Sequence, residues 1–213
     1  NNCKTTTTLT FSASKELTFE VYVDGKREEG FEPKIKTFFE RISQYSSFIN
    51  KYKFTIDTSN SFPHSSGIAS SASGLSALAL CICSIEQNIN SEFKGEKFLN
   101  KASFLARLGS GSACRSLFPK MASWGKHNEL KNSSDIIGTP YDDIHPVFTT
   151  FQDTILLVDK GQKQVSSTVG HGLMHQHPFA EARFEQANSN LSKLKRVLQT
   201  GDLIAFNKIV ETE

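Results

Sequence analysis

The chain lacks a dominant charge. Its 24 lysines and arginines stand against 22 acidic residues, a formal net charge of +2 over 213 residues with both signs scattered. That balance removes the electrostatic case for a nucleic-acid or membrane-surface partner, and none is expected. No uninterrupted apolar run approaches the roughly 20 residues that a membrane-spanning helix needs. Cysteine is scarce: Cys3, Cys81, Cys83 and Cys114 show neither zinc-ribbon nor redox spacing. Reduced thiols in a cytoplasmic protein fit that usage. Low-complexity tracts and internal repeats are absent too. The N-terminus NNCKTTTTLTF has no initiating methionine, and NKIVETE closes the chain in a helical pattern. The expectation is a piece of a longer protein.

What remains is an ordinary globular composition, 38% hydrophobic and 22% charged, in a chain long enough for one large domain or two smaller ones. Residues 6–23 alternate and are rich in Thr, Phe and Val, which predicts two paired strands with a turn near 14–15, then a hairpin turn at Asp24-Gly25. Ile35, Phe38, Phe39 and Ile42 recur at helical spacing in a segment from 34 to 49. KYKFTIDTSN returns to strand alternation. Helices are predicted over about 70–88 and 97–108, a strand in LFPKMASWGK, a buried strand in DTILLVD, and helices over about 179–199 and from Asp202 onward. Strands and helices mixed with antiparallel hairpins make this an α+β chain, with a domain boundary expected in the loop at 127–150.

Three segments could carry chemistry. The first, FPHSSGIASSASG (62–74), joins the end of a strand to a long apolar helix. It gathers free backbone N–H groups, the hydroxyls of Ser66, Ser70, Ser71 and Ser73, and the positive end of the helix dipole, which together make an anion site. Gly67 allows close approach of a ligand, and Gly74 inside the helix suggests close packing, since it costs about 1 kcal/mol against alanine. A capped core helix is the competing reading. A Walker loop is excluded because no Gly-Lys-Ser/Thr follows. One helix terminus offers only about 0.3–1 kcal/mol per charge, so a polyphosphate would need a second site.

GSGSACRSLF (109–118) could supply it. Gly109 and Gly111 end one helix and free donors at the start of the next, Ser110 and Ser112 add hydroxyls, and Arg115 adds a planar fork for carboxylate or phosphate. A plain linker with a surface arginine is the alternative. The third segment, SSTVGHGLMHQH (166–177), follows the expected buried strand. His171 and His175 stand at i, i+4 and His177 is near, yet no glutamate or other acidic ligand accompanies them, so no metal site is assigned. The nucleophile elbow of serine hydrolases is absent. Asp142 and Asp143 read as solvated.

PHSSGIASSASG resembles the phosphate-binding motif P-x-x-x-G-L-x-S-S-A of the GHMP small-molecule kinases. Taken with NNCKTTTT, GSGSACRSLF and SSTVG, in the same order from residue 1 to about 200, it resembles the mevalonate diphosphate decarboxylase family within that superfamily. The resemblance implies a two-domain α+β fold with the active site between the domains: a nearly complete N-terminal domain at 1–147 and the beginning of a C-terminal domain at 148–213. It implies ATP and Mg²⁺ as cofactors, phosphorylation of the tertiary hydroxyl of mevalonate 5-diphosphate, then loss of phosphate and CO₂ to give isopentenyl diphosphate. It places Ser66, Gly67, Ser70, Ser71 and Ser73 at ATP phosphates, and Ser110, Gly111, Ser112 and Arg115 at the substrate. Arg115 would lie on the departing carboxylate, and Ser167 on the substrate diphosphate. A homodimer is usual for the family.

The chain departs from the family pattern in two places. Pro119-Lys120 stands where two glycines are usual, and His64 where threonine is common. The resemblance further implies that a lysine-bearing substrate segment precedes residue 1 and that the catalytic aspartate follows residue 213, so the expectation is that this piece alone is inactive. Rival readings are a kinase of the same hydroxyl, a decarboxylase of the monophosphate, and a non-catalytic phosphate-binding fragment.

Overall fold

A computed structural model describes residues 3–63, 70–156 and 167–213, with the side chains of residues 167 and 168 left out. Its main sheet has four strands, β1 (Thr5–Ala13), β2 (Thr18–Val23), β3 (Lys26–Arg27) and β4 (Tyr52–Asn60), in the order β1-β4-β2-β3. The sequence pattern predicted β1 paired with β2. Instead β4 lies between them, antiparallel to β1 and parallel to β2. The four residues linking β1 to β2 step over the end of β4, where Ser14 N–H donates to Lys51 O at 2.8 Å. Two strand spacings are only about 9.6 Å, within reach of four extended residues. The parallel pairing is possible because β3 and the helix α1 (Glu32–Ile42) form a crossover long enough to return the chain in the same direction.

Cross-strand rows show why this register wins. Leu9, Ile56 and Val21 are aligned, as are Phe11, Phe54 and Phe19. Shifting β4 by one residue would turn Phe54 and Ile56 away from the core. The Asp24-Gly25 turn forms as expected, with φ values of 51° and 73° at its two residues, the positive pair a type I′ hairpin requires.

Two helices pack on the sheet and a third packs on both of them. α1 buries Phe38, Phe39 and Ile42; Phe39 packs against Phe19 and stacks on Phe54. The predicted helix to residue 49 stops at Ile42, and the chain re-enters the core through a 3-10 helix, Ser47–Lys51, that buries Ile49. α2 (Ser70–Ile89) and α3 (Glu96–Gly109) match the sequence expectation. By length and composition α2 could cross a membrane, which corrects the expectation that no segment approaches that size. Its apolar surface faces protein: Leu75, Leu78, Ala79, Ile82, Cys83 and Ile85 are all buried in the core.

Beyond α3 lie a 3-10 helix, Gly111–Arg115, and a two-stranded sheet of β5 (Ala122–Ser123) and β6 (Thr139–Pro140). The longer strand predicted around residue 120 shrinks to these two residues. DTILLVD fares worse: residues 153–156 are exposed and unpaired, and the rest lies outside the described residues. Then come α4 (Ser167–Gly172), α5 (Ala180–Thr200) and α6 (Leu203–Thr212). α5 ends at Gly201 in the left-handed region, and the Asp202 carboxylate caps α6 by accepting from Ala205 N–H at 2.9 Å. Phe148, Val197 and Leu198 form a second, smaller core, against which Met121, Tyr141, Ile144 and Phe206 pack.

Candidate phosphate-binding site

The N-terminal turn of α2 divides its serines. Ser70 and Ser71, with Gly74, line a small cavity of about 90 Å³ against Lys34, Thr58 and Asn60. There Lys34 Nζ donates to Ser71 Oγ at 2.6 Å, so α1 supplies a cation that the sequence reading did not identify. Among the described residues Gly74 does not pack closely, contrary to expectation; an added Cβ would meet none of them within 4 Å. Its place beside this cavity explains why no neighbour presses on it.

Ser73 lies about 200° around the helix from Ser71 and lines a different, larger cavity of about 560 Å³ with Lys4, Thr5, Ser76, Ser116 and Asp153. Phe62 and Ile155 complete its walls, so residues on both sides of 64–69, and those just ahead of 157–166, border one space. Ser66 and Gly67 themselves lie outside the described residues. So does the Ser167 side chain, although its backbone opens α4.

The second glycine-serine segment is fastened to the first. Ser76 Oγ, one turn along α2 from Ser73, contacts Ala72 O and also bonds Ala113 O at 2.9 Å. Ser103 Oγ donates to Cys114 O at 2.9 Å and accepts from Gly138 N–H at 2.8 Å. These two buried hydroxyls hold the 3-10 helix against α2 and α3. Gly109 is needed for this approach: a Cβ there would come within 2.8 Å of Phe38 and 3.0 Å of Leu75. Ser110 sits at the start of the 3-10 helix with extended backbone, φ −157°. The N–H groups of Gly111 and Ser112 form its first turn, where a helix has no acceptor of its own. Ser110 and Ser112 are half-buried, and Arg115 is exposed at the far end. None of these three lines the larger cavity; Ser116, immediately after Arg115, does.

Burial raises the Cys114 thiol above its ordinary range, with Arg115 and Arg107 opposing the shift. Cys114 is therefore a packed, protonated side chain rather than a nucleophile. Asp142 and Asp143 are exposed as expected, Asp143 accepting from Gln199 Nε2. His171 lies in the last turn of α4 and His177 Nδ1 accepts from Phe179 N–H; among the described residues no group of three or more His, Cys, Asp or Glu could hold a metal. The sequence reading missed Lys34, Lys4, Ser76, Ser116 and Asp153. Ser76 and Ser116 were discoverable, one at i+3 from Ser73 and one inside the quoted run. Lys4, Lys34 and Asp153 carry no local signal, because only the fold brings them to the serines.

The family of diphosphomevalonate decarboxylase-like N-terminal domains matches residues 1–135. A curated diphosphomevalonate decarboxylase from Ganoderma lucidum is 30% identical over 169 residues, 76% of this chain and 38% of that relative. The crystal structure of a mevalonate diphosphate decarboxylase from Legionella pneumophila is 26% identical with a TM-score of 0.71, over 95% of this chain and 62% of that one. A further structure, MDDEF in complex with MVAPP, AMPPCP and magnesium, is 26% identical with a TM-score of 0.73, over 98% of this chain and 60% of that one. The chain thus spans about two fifths of the length of curated relatives such as those from Ganoderma lucidum and Gibberella zeae, at 38% and 41%. With its α+β, GHMP-kinase-like fold and a family match running from residue 1 to residue 135, the chain belongs to the diphosphomevalonate decarboxylase-like N-terminal domain family.

Proposed function

We propose that this chain carries the phosphate-binding half of an ATP-dependent decarboxylase of mevalonate 5-diphosphate, which forms isopentenyl diphosphate by 3-phosphorylation followed by loss of phosphate and CO₂. One observation carries the reading: Ser76 ties the first turns of α2 to the segment 109–116, so that Ser73 and Ser116 face a single cavity. Two anion cradles fixed to one another suit a reaction in which a γ-phosphoryl group passes between two bound molecules. Catalysis there is mostly positioning and charge neutralisation.

The serine hydroxyls of α2 and the N-terminal end of its dipole would hold nucleotide phosphates, with Lys34 beside Ser71 adding a charge. The donor set suits Mg²⁺, since Ser73 and Asp153 offer oxygen to a hard cation that binds chiefly through phosphates. When bound, the ion would neutralise charge on the transferring phosphoryl group. Gly111, Ser112 and Arg115 would hold the substrate, the guanidinium taking the carboxylate. Converting the tertiary hydroxyl to a phosphate makes it a leaving group, and drawing water away from the carboxylate favours loss of CO₂.

On this reading the N-terminal domain runs to residue 147 and a second domain begins at 148, and the parent enzyme is a cytoplasmic homodimer. The sparse cysteines, without zinc or redox spacing, support the compartment, and size-exclusion chromatography with light scattering tests the dimer. Calorimetric titration of the purified chain with mevalonate 5-diphosphate tests the site. Arg115→Ala should weaken binding about 10- to 100-fold, the loss of one charge-assisted hydrogen bond of about 1.5–3 kcal/mol. Unchanged affinity in that variant would remove Arg115 from the carboxylate, and no binding by the unaltered chain would sink the assignment.

A further inference from the structure

We propose that Trp124 is a positioning residue that clamps the segment 111–115 in its ligand-ready geometry. The inference deepens the substrate-loop reading above and rests on it for the identity of the ligand. Trp124 is the sole tryptophan of the chain, and it stays 40% exposed. A Cβ on Gly111 would lie 2.5 Å from its Cη2 and 3.1 Å from its Cζ3, so the indole rests directly on the glycine backbone. No larger residue fits at 111 while the ring is in place.

The ring is itself fixed from behind. Its Nε1 donates to Asp135 O at 3.0 Å, and the Asp135 carboxylate accepts from Lys126 N–H at 2.7 Å. Gly125, at φ +110°, turns the chain just after Trp124, and its N–H donates to Ser134 O at 2.9 Å. The β5–β6 pairing anchors the other side through Ser123 and Thr139. Gly138, next to Thr139, comes so close to the Cys114 carbonyl that an added Cβ would lie 2.5 Å from it. The loop from 121 to 140 therefore grips the 3-10 helix at two points, Gly111 under the indole and Cys114 under Gly138.

These grips differ from those of Ser76 and Ser103. The serines bond Ala113 O and Cys114 O, on the buried side of the helix. Trp124 is what bears on its first turn, where the N–H groups of Gly111 and Ser112 stand. Without the indole, the buried side stays fastened while the ligand-facing turn is released. A loss of anion affinity without a loss of fold follows.

The test uses Trp124→Ala, Trp124→Phe and Gly111→Ala in the purified chain, with three readouts. Hydrogen exchange at Ala113, whose N–H bonds Ser110 O in the first turn, should accelerate about tenfold or more in Trp124→Ala, while Ser116, whose acceptor Ala113 O is also held by Ser76, and the amides of α2 keep their protection. In titrations, the Kd for mevalonate 5-diphosphate should rise about tenfold, that for a non-hydrolysable ATP analogue should not move, and Trp124→Phe should restore most of the loss. Gly111→Ala should shift the tryptophan emission of the unliganded chain, because the new methyl displaces the ring. Unchanged loop exchange in Trp124→Ala overturns the proposal, as does an equal loss of affinity for both ligands. If the unaltered chain binds no mevalonate 5-diphosphate, the functional reading fails alone when exchange at Ala113 still accelerates, and both fail when it does not.

Discussion

The two hydrophobic cores of this molecule are built to different standards. Among the described residues the first, under the main sheet, buries 18 and includes Phe38, Phe39, Ile42, Phe54 and Leu105 at 1% exposure or less. The second, again among the described residues, buries three, Phe148, Val197 and Leu198, at 3–7%. In the helices that follow residue 178, large apolar side chains face solvent, among them Phe184 at 56% and Ile204 at 85%. Stability follows buried apolar area at about 25 cal/mol per Å², so the first region should fold cooperatively and the second should open at lower free energy. The candidate phosphate cradles stand on the better-packed region, where α2, α3 and the 3-10 helix are locked together by Ser76 and Ser103. A site that must hold two anions at fixed separation needs that rigidity.

The comparison can be broken most severely at Phe39. Fully buried between Phe19, Phe38 and Phe54, it should cost about 3–5 kcal/mol when replaced by alanine. Urea unfolding followed by circular dichroism should show the loss, and a cost under 1 kcal/mol would mean that the first core is not the principal one. Ser76→Ala comes next. It strands the buried Ala113 carbonyl and should cost about 1–3 kcal/mol, with faster hydrogen exchange at 113–116 as the local signature. Asp202→Ala removes the cap of α6 and should cost about 1 kcal/mol. Exchange in α5 and α6 should report it while α2 and α3 stay protected, and equal deprotection everywhere would show the two regions to be one cooperative unit.

The smallest effect at neutral pH belongs to Cys83. Burial first, with Glu86 adding to it and Lys101 opposing, pushes its pKa up to about 12 from an ordinary 9.0. The folded state therefore holds this proton more tightly than the unfolded chain. Its contribution is fully present below pH 9 and is lost as pH rises toward 12. Denaturation midpoints should fall across that window and Cys83→Ala should flatten the fall. At pH 8 iodoacetamide should label exposed Cys3 long before Cys83.

Much of the candidate site was legible because its residues are contiguous. Glycines and serines in two short runs, each before a helical pattern, declare themselves without any knowledge of the fold. The division of Ser70 and Ser71 from Ser73 was implicit in helical geometry, but which partner each serine would meet was not. Lys34 comes from α1, Lys4 from the start of the described chain, and Asp153 from the segment that follows residue 150. Trp124 falls in the strand predicted for LFPKMASWGK with no signal of its own, and only its seat on Gly111 gives it meaning.

The sequence by itself determined the elements whose cause is local: α2, α3 and α5 by helical spacing, the Asp24-Gly25 turn by the positive φ that both positions adopt, and the family by the order of its glycine-serine runs. The tertiary structure decided what depends on partners far along the chain. It put β4 between β1 and β2, ended α1 at Ile42, and left residues 153–156 exposed where alternation and hydrophobicity predicted a buried strand. Periodicity tells a segment which face to bury. The surface that covers that face is chosen by the competition of the whole chain for buried apolar area.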